Sequence, residues 1–313
     1  MTSPEGPTHG EPTRAGYVTL AGMPNAGKST LLNRFVGEHL SIVTPKAQTT
    51  WQRVTGLLTE GSTQLIFLDT PGLLEARDLM SRTMHGAAIE ALAEADVILL
   101  VVDSTHPPTP VDAQRLTKAL DGATAPIHVA VNKVDVAPPQ AIEAWEDWIA
   151  QNLQARAHRV SAAVGEGTEG LLEAIRSDLP ESPFYYPEDE IASDPVRFFV
   201  AELVRETIFE QYEQEIPYSV FCRVEEFRED QDPVYMHIDI YVERKSQKGI
   251  LIGKRGAAIK VLGAAARAKI EHFLGCRVYL DLWVKPLDSW RKSRAHLGRL
   301  GFRLPSDDES KPS

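Results

Sequence analysis

Residues 22–29 match the pattern G-x-x-x-x-G-K-[ST], and this loop constrains the fold of the chain more than any other feature. In such a loop the backbone N–H groups and the lysine surround nucleotide phosphates, while the serine hydroxyl coordinates Mg²⁺. A strand-like run at 17–21 precedes the loop and a helix-like run at 30–35 follows it, which is the required context. The sequence therefore predicts a phosphate-binding loop. Its residues are Gly22, Met23, Pro24, Asn25, Ala26, Gly27, Lys28, Ser29 and Thr30.

Three further motifs follow in the order expected of a guanine-nucleotide site. The apolar run 64–69 ends in an acid, which is typical of a buried parallel strand that brings a carboxylate to the sheet edge. After two more apolar strands, Asp135 is predicted to accept hydrogen bonds from guanine N1–H and N2–H₂, which adenine cannot offer. Taken alone, 132–135 would suit an ordinary turn equally well. The motif residues, which together predict GTP and GDP binding, are Asp69, Thr70, Pro71, Gly72, Asn132, Lys133, Val134, Asp135, Ser161 and Ala162.

A polar stretch at 44–51 lies between apolar segments and is predicted to be a first switch loop. A threonine in such a loop can complete the Mg²⁺ shell only when the γ-phosphate is bound. Either Thr49 or Thr50 could serve, and we favour Thr50. The N–H of Gly72 can reach the γ-phosphate, so the loop after it can sense that group. The predicted metal ligands are Ser29, Thr50 and, through water, Asp69.

Leu73 follows Gly72 directly, where Ras-like switches carry a glutamine that orients the attacking water. A leucine cannot orient water, so we expect slow intrinsic hydrolysis that relies on positioning and charge neutralisation. Asn25 could help potassium to bind beside the phosphates, as in related GTPases with this residue, although an asparagine is equally typical of a turn. We count Leu73 among the nucleotide-contacting residues. The predicted catalytic residues are Lys28, Thr50 and Gly72.

The chain has a net charge of −11, but the charge is unevenly distributed. Residues 244–303 contain 15 Lys and Arg against 3 acids, a net charge of +12, so the remainder carries −23. A local basic surface is what attracts nucleic acid, since whole-chain charge governs only the far field. Two cysteines without metal spacing and the lack of a long apolar run or signal-like start lead us to expect a soluble, cytoplasmic protein.

The predicted fold class is α/β: a P-loop GTPase domain with a doubly wound, mostly parallel sheet, followed by an α+β KH domain. Prolines and tyrosines after 180 predict a linker, because they break regular structure. Beyond it the periodicity predicts helix, strand, strand, helix, helix, strand. The predicted divisions are a disordered tail at 1–14, the GTPase domain at 15–180, the linker at 181–194, the KH domain at 195–290, and a basic segment with a disordered end at 291–313.

A G-x-x-G loop lies between the last two predicted helices. Its glycines let the backbone approach a sugar-phosphate chain, its central residues supply positive charge, and neighbouring isoleucines can hold unstacked bases. G-x-x-G alone is a weak signal, but its position and basic surroundings favour RNA binding. The predicted RNA-binding residues are Ile250, Ile252, Gly253, Lys254, Arg255, Gly256, Ile259 and Lys260.

With both halves considered, the chain closely resembles the bacterial Era GTPase family from about residue 16 to 302. The resemblance implies a two-domain, magnesium-dependent GTPase with a type II KH domain. Such a protein is expected to bind the 3′ end of small-subunit ribosomal RNA, to assist assembly of the small ribosomal subunit, to contact the inner membrane peripherally and to act as a monomer. One departure is Trp51, where many relatives carry arginine. Besides the phosphate loop and 132–135, the segments that carry the resemblance are 46–50, 216–220, 243–244 and 252–256.

Two alternatives use the same phosphate loop. A stand-alone metabolic NTPase would not need a guanine-reading motif or a basic RNA-type domain. A GTPase of transfer-RNA modification or membrane transport shares the leucine after Gly72, yet it would need a different appended domain.

Overall fold

The computed structural model describes residues 12–73, 75–76 and 78–305, so the predicted acidic end and most of the predicted N-terminal tail lie outside the described residues. The chain forms two compact units. Among the described residues, unit 1 comprises 12–41, 47–73, 75–76 and 84–193, and unit 2 comprises 42–46, 78–83 and 194–305. Two short segments of the first half thus belong to unit 2, which no feature of the sequence predicted.

Unit 1 is built on a six-stranded sheet with the order β2-β3-β1-β4-β5-β6, in which only the pair β2–β3 is antiparallel. The inner strands are almost continuously apolar and buried, as expected of strands covered on both faces. Parallel pairing brings the carboxyl ends of β1, β3, β4, β5 and β6 to one edge of the sheet, and the four motifs follow β1, β3, β5 and β6 there. The strands are β1 Arg14–Gly22, β2 Val54–Glu60, β3 Thr63–Asp69, β4 Val97–Asp103, β5 Ile127–Asn132 and β6 Ala155–Arg159.

Helices connect these strands, and local sequence explains where several begin. Thr109 caps one of them by accepting a hydrogen bond from the Asp112 N–H at 3.1 Å, with Pro110 as the first helical residue. Apolar side chains of the helices, such as Trp145 and Leu116, join Leu100 in the core of unit 1. The helices are α1 Lys28–Val36, α2 Leu79–Ala93, α3 Pro110–Ala119, α4 Pro139–Asn152 and α5 Thr168–Ser177.

The segment predicted as a linker is held by unit 1 over most of its length. The buried Gln64 carboxamide accepts hydrogen bonds from the Tyr185 and Tyr186 N–H groups at 2.8 and 3.0 Å. Further along, the Leu57 N–H donates to Ile191 O at 2.9 Å, so the segment covers the edge strand β2. Covering an edge strand satisfies backbone groups that would otherwise invite pairing with another chain.

Unit 2 contains the predicted order of helix, two strands, two helices and strand. Its sheet has the order β7-β8-β9, with β7–β8 antiparallel and β8–β9 parallel. One face of β8 buries Met236, Ile238 and Ile240 in a core shared with the helices, so the alternating pattern read from the sequence is confirmed. No helix among the described residues is long and apolar enough to cross a membrane. The elements are α6 Val196–Gln211, β7 Val220–Arg228, β8 Val234–Val242, α7 Lys245–Ile252, α8 Ala257–Leu274, β9 Val278–Pro286 and α9 Arg294–Arg299.

Two histidines of unit 1, His128 and His158, are neighbours, and the pKa values of both are lowered. His128 Nδ1 lies 3.1 Å from His158 Nε2, and His128 Nε2 lies 3.0 Å from Asp178 Oδ2. Burial lowers the pKa of His128 despite the neighbouring Asp178 carboxylate, and burial and the other imidazole lower the pKa of His158. Both pKa values lie below the ordinary 6.5, so the unfolded chain binds protons first as the pH falls.

We therefore expect the thermal midpoint of the nucleotide-free chain to fall as the pH is lowered from about 7.5 to 5.5, because stability present above the unfolded pKa is lost below it. In the His158→Gln variant the slope should be smaller, since one titrating partner is gone. Midpoints measured at several pH values for both proteins test this expectation. Parallel pH profiles would contradict it.

Candidate functional site

The phosphate loop runs from the end of β1 into the N-terminus of α1, which begins at Lys28. Gly27 has φ 101°, and a Cβ there would lie 2.2 Å from Asn132 Nδ2, so only glycine fits. Asn25 also has a positive φ, 62°, which asparagine tolerates better than most residues. Since the first N–H groups of a helix have no intrahelical partner and carry the positive end of its dipole, this geometry suits a bound phosphate.

Lys28 and Asp69 are both buried, and the charge of each influences the pKa of the other. The Lys28 ammonium donates to Gly22 O at 3.2 Å and Met23 O at 3.0 Å, which stretches the side chain along the loop. Burial lowers the pKa of Lys28 to about 8, and the Asp69 carboxylate opposes this shift. Burial raises the pKa of Asp69, opposed by the Lys28 charge and the Ser29 hydroxyl. Both groups are thus poised to neutralise charge that a ligand brings.

Three side-chain oxygens converge where Mg²⁺ was predicted. The Ser29 hydroxyl donates to Asp69 Oδ2 at 2.7 Å, and the Thr50 hydroxyl lies 3.2 Å from Ser29 Oγ and 3.4 Å from Asp69 Oδ2. The other Asp69 oxygen, Oδ1, is buried and accepts no hydrogen bond from any described residue. Hydroxyl and carboxylate oxygens are the ligands that Mg²⁺ prefers, so this set fits the cation. Of the two threonines considered, Thr50 has its hydroxyl at this point.

The loop after β3 closes against the phosphate loop. A Cβ on Gly72 would lie 2.8 Å from Pro24 N, so the absence of a side chain permits this close approach. Leu73 is only 2% exposed and packs in the apolar core, while its N–H donates to Gly22 O at 3.0 Å. A side chain directed into the core cannot reach an attacking water, which agrees with the expectation that Leu73 does not orient that water.

The predicted base-recognition residues form a bonded unit around Asn132. Its amide Nδ2 donates to Ala26 O at 2.7 Å, and its Oδ1 accepts from the Ala162 N–H at 2.9 Å. One buried side chain therefore joins the phosphate loop to the loop that contains Ser161 and Ala162. Val134 N donates to Val160 O at 3.2 Å, and Asp135 stands exposed at the end of the motif.

Two contacts of this region were not assigned from the sequence. Lys133 adopts a positive φ of 70°, and its ammonium donates to Asp103 Oδ2 at 2.6 Å. Asp103 is the acid at the end of the apolar run 97–103, so the sequence offered a signal for this partner of Lys133. Arg34 of α1 donates from Nε to Ala162 O at 3.2 Å, a contact with a backbone oxygen that leaves no trace in the sequence. Both contacts involve residues of the predicted base-recognition loops.

The G-x-x-G loop of unit 2 forms a tight turn between α7 and α8. Gly253, Arg255 and Gly256 have φ values of 70°, 53° and 78°, so three of the four residues lie outside the helical region. Lys254 and Arg255 are exposed at the tip, and α8 begins directly after it at Ala257. The turn thus places two exposed cations directly before the N-terminus of an 18-residue helix.

The apolar residues beside this turn differ in exposure. Ile250 is 49% exposed, whereas Ile252 and Ile259 are half-buried and pack against the core of unit 2. Lys260 is exposed on the first turn of α8. Strand β9 packs beside α7 and α8, and its Leu280 and Leu282 are also half-buried. The sequence did not single out β9 as a neighbour of the helices that flank the G-x-x-G turn, because its alternation resembles that of any half-buried strand.

The fold and the site define a P-loop GTPase joined to a KH module. Two family models agree: one described as 50S ribosome-binding GTPase matches residues 17–133, and one described as KH domain matches residues 215–291. The first model matches the part of the chain that contains the phosphate loop, and the second matches the part that contains the G-x-x-G loop.

Curated relatives and solved structures extend the match to most of the chain. GTPase Era of Carboxydothermus hydrogenoformans is 41% identical over 92% of this chain and 98% of its own length, and that of Geobacter metallireducens is 38% identical over 93% and 98%. The crystal structure of Aquifex aeolicus Era bound to GDP·AlF₄⁻ is 35% identical, with a TM-score of 0.88 over 93% of this chain and all of that one. The chain belongs to the Era GTPase family, and it is an enzyme that hydrolyses GTP.

Another structure with a TM-score of 0.88 and 35% identity is that of Era in complex with MgGDPNP and nucleotides 1506–1542 of 16S ribosomal RNA. It covers 93% of this chain and all of that one. The family resemblance read from the motifs is thereby confirmed.

Proposed function

We propose that this protein is a GTP-hydrolysing switch that binds the 3′ end of small-subunit ribosomal RNA and assists maturation of the small ribosomal subunit. The observation that carries the proposal is the exposed Lys254–Arg255 turn at the N-terminus of α8. The related Era complex, which contains nucleotides 1506–1542 of 16S ribosomal RNA, supports the choice of RNA. The runner-up functions in transfer-RNA modification and transport offer no role for this KH module.

In the proposed reaction, water attacks the γ-phosphate in line with the departing GDP. Lys28 neutralises charge on the transferred group, and the Gly72 N–H donates to it as the charge develops. Ser29, Thr50 and Asp69 would hold Mg²⁺, which supplies further positive charge when bound. Because Leu73 is buried in the core, no glutamine-like group orients the water, and slow turnover follows.

The Asn25 side chain is the proposed ligand of a potassium ion beside the phosphates. We expect turnover at least severalfold faster in K⁺ than in Na⁺ at equal ionic strength, because a second fixed cation stabilises charge in the transition state. The matched variant is Asn25→Gly, which keeps the positive φ of 62° without strain and removes the side chain. Equal rates in the two salts for the unaltered protein would remove this role.

Sequencing of RNA crosslinked to the purified protein, with GTP and with GDP, tests the proposed function. Reads concentrated at the 3′ end of small-subunit ribosomal RNA are expected. Reads concentrated on transfer RNA would overturn the proposal and favour the runner-up. We further propose a cytoplasmic monomer that contacts the inner membrane peripherally, which cell fractionation and sedimentation can check.

A further inference from the structure

The loop that follows β6 is held from two sides at Ala162. On one side, the Ala162 N–H donates to Asn132 Oδ1 at 2.9 Å. On the other side, Arg34 donates from Nε to the Ala162 carbonyl at 3.2 Å and from Nη2 to the next carbonyl, that of Ala163. All four residues belong to unit 1. One guanidinium therefore binds two successive carbonyls of the loop in which base-recognition residues were predicted.

Arg34 lies in the last turn of α1, the helix that begins at the phosphate loop. Its guanidinium also lies against Gly165, where an added Cβ would be 3.4 Å from Nη1. A guanidinium is planar and holds its donors in a fixed fork, so two hydrogen bonds to it define the orientation of the groups that accept them. The two ends of α1 thus adjoin two different parts of the predicted nucleotide site.

The hydrogen bonds within the loop shape its turn but do not include the peptide group between Ala162 and Ala163. The Gly165 N–H donates to Ser161 O at 2.8 Å, and the Ser161 N–H donates to the carbonyl of residue 166 at 2.9 Å. The N–H of residue 164 donates to Ser161 Oγ at 3.3 Å. Of the residues that the structure describes, Arg34 is the one that bonds this peptide group.

The orientation of this peptide group follows from the contact with Arg34. The group is trans, so its C=O and its N–H point in opposite directions. Because Arg34 holds the Ala162 carbonyl toward α1, the Ala163 N–H is directed away from α1. No described residue accepts a hydrogen bond from that N–H. The loop therefore presents an oriented donor directly after Ala162.

Guanine requires a donor of this kind in addition to Asp135. If Asp135 accepts from N1–H and N2–H₂, the group that remains on the same edge of the base is the 6-oxygen, which is an acceptor. Adenine carries an amino group at that position, so a fixed donor rejects it. The Val134 N–H donates to Val160 O at 3.2 Å, so the segment with Asp135 and the loop after β6 are bonded neighbours.

We propose that Arg34 is a positioning residue for guanine recognition: by holding the Ala162 carbonyl, it directs the Ala163 N–H at the 6-oxygen of the base. The inference rests on the predicted placement of the base beside Asp135 and is independent of RNA binding. GDP and GTP carry the same base, so the contribution of Arg34 to binding is the same for both.

The test measures the affinity of the full chain for three diphosphates: GDP, 6-thioguanosine diphosphate and inosine diphosphate. The second has sulfur, a weaker acceptor, in place of the 6-oxygen, and the third lacks only the 2-amino group. Arg34→Ala should bind GDP about threefold to tenfold more weakly, the contribution of about one hydrogen bond. Its preference for GDP over the thio analogue should narrow by a similar factor. Its preference for GDP over inosine diphosphate should not change, because Asp135 reads the 2-amino group.

Three further measurements separate positioning from general damage. Arg34→Lys keeps a cationic donor for one carbonyl and should recover part of both effects. Single-turnover hydrolysis by Arg34→Ala at saturating GTP should change by less than about twofold, since the base is bound equally in the ground and transition states. The matched control is Arg159→Ala, because Arg159 lies two residues before Ser161 but bonds the Glu146 carboxylate. This control should bind all three diphosphates as the unaltered protein does.

Two outcomes for Arg34→Ala would overturn the proposal. One is an unaltered preference for GDP over the thio analogue. The other is an equal narrowing of both preferences, because that pattern describes a loosened site. Arg34 is exposed, so the alanine variant should fold, and Arg34→Lys provides the same comparison if it does not. If the unaltered protein does not prefer GDP over inosine diphosphate, the role of Asp135 fails, while the thio analogue still decides the role of Arg34.

Discussion

The Asp135→Asn variant is expected to lose GTP affinity by roughly 10²-fold or more and to gain affinity for xanthosine triphosphate. A carboxylate accepts from both guanine donors, whereas asparagine presents one acceptor and one donor, and xanthine offers a carbonyl where guanine has an amino group. A site built to hydrogen-bond its ligand discriminates strongly against a ligand that leaves one group unpaired. The Asp135 side chain is exposed, so its replacement should not disturb the core.

Competitive titration with GTP, xanthosine triphosphate and ATP measures the change in preference. The matched control is Asp121→Asn, because Asp121 is an exposed carboxylate elsewhere in unit 1. This control should retain the selectivity of the unaltered protein. If Asp135→Asn also retains full GTP selectivity, Asp135 does not read the base.

The Lys254→Asp/Arg255→Asp variant is expected to bind RNA at least about tenfold more weakly and with a shallower salt dependence. Two cations that would neutralise phosphates are replaced by two repelling charges, and each lost phosphate contact lowers the slope of log K against log salt by about 0.7 for a single strand. Aspartate is chosen because Arg255 has a φ of 53°, a conformation that aspartate tolerates. GTP binding should not change, because the nucleotide site lies in unit 1.

Oligonucleotide binding at several salt concentrations measures both effects. Arg228→Asp/Arg277→Asp makes the same change of charge in unit 2, at two exposed arginines that pair with Glu226 and Asp232 and lie outside the G-x-x-G turn. This control should lose little affinity. Equal losses in both double variants would mean that general charge, and not the G-x-x-G turn, accounts for RNA binding.

Much of the nucleotide site was predictable because its contacts are local in sequence. The loop from Gly22 to Ser29 binds phosphate largely through its own backbone, so the residues that shape the turn are also those that carry the function. The same holds for the G-x-x-G turn, where Gly253 and Gly256 permit the positive φ values that were found. The alternating pattern of β8 likewise revealed its buried face before any packing was known.

Other features depended on groups distant in the chain. Asn132 was expected to contact the nucleotide, but its bonds to Ala26 O and the Ala162 N–H became visible only when three loops met. The antiparallel edge strand β2 was not predicted, since its pattern is short and mixed. The segment at 181–194 was predicted to be a linker, and its hydrogen bonds to β2 and Gln64 were not predicted, because they have no signature in its composition.

The sequence by itself determined the class of each unit, the order of the motifs and the charge on the RNA-binding turn, because those properties reside in side-chain identity and local backbone conformation. Only the tertiary structure decided that Thr50 lies beside Ser29 and Asp69, that Leu73 is buried, and that Lys46 is anchored on α6. The physical reason is that these outcomes depend on backbone carbonyls and packing partners that are far away along the chain. Such partners can be any residue type, so they become identifiable only when the chain is folded.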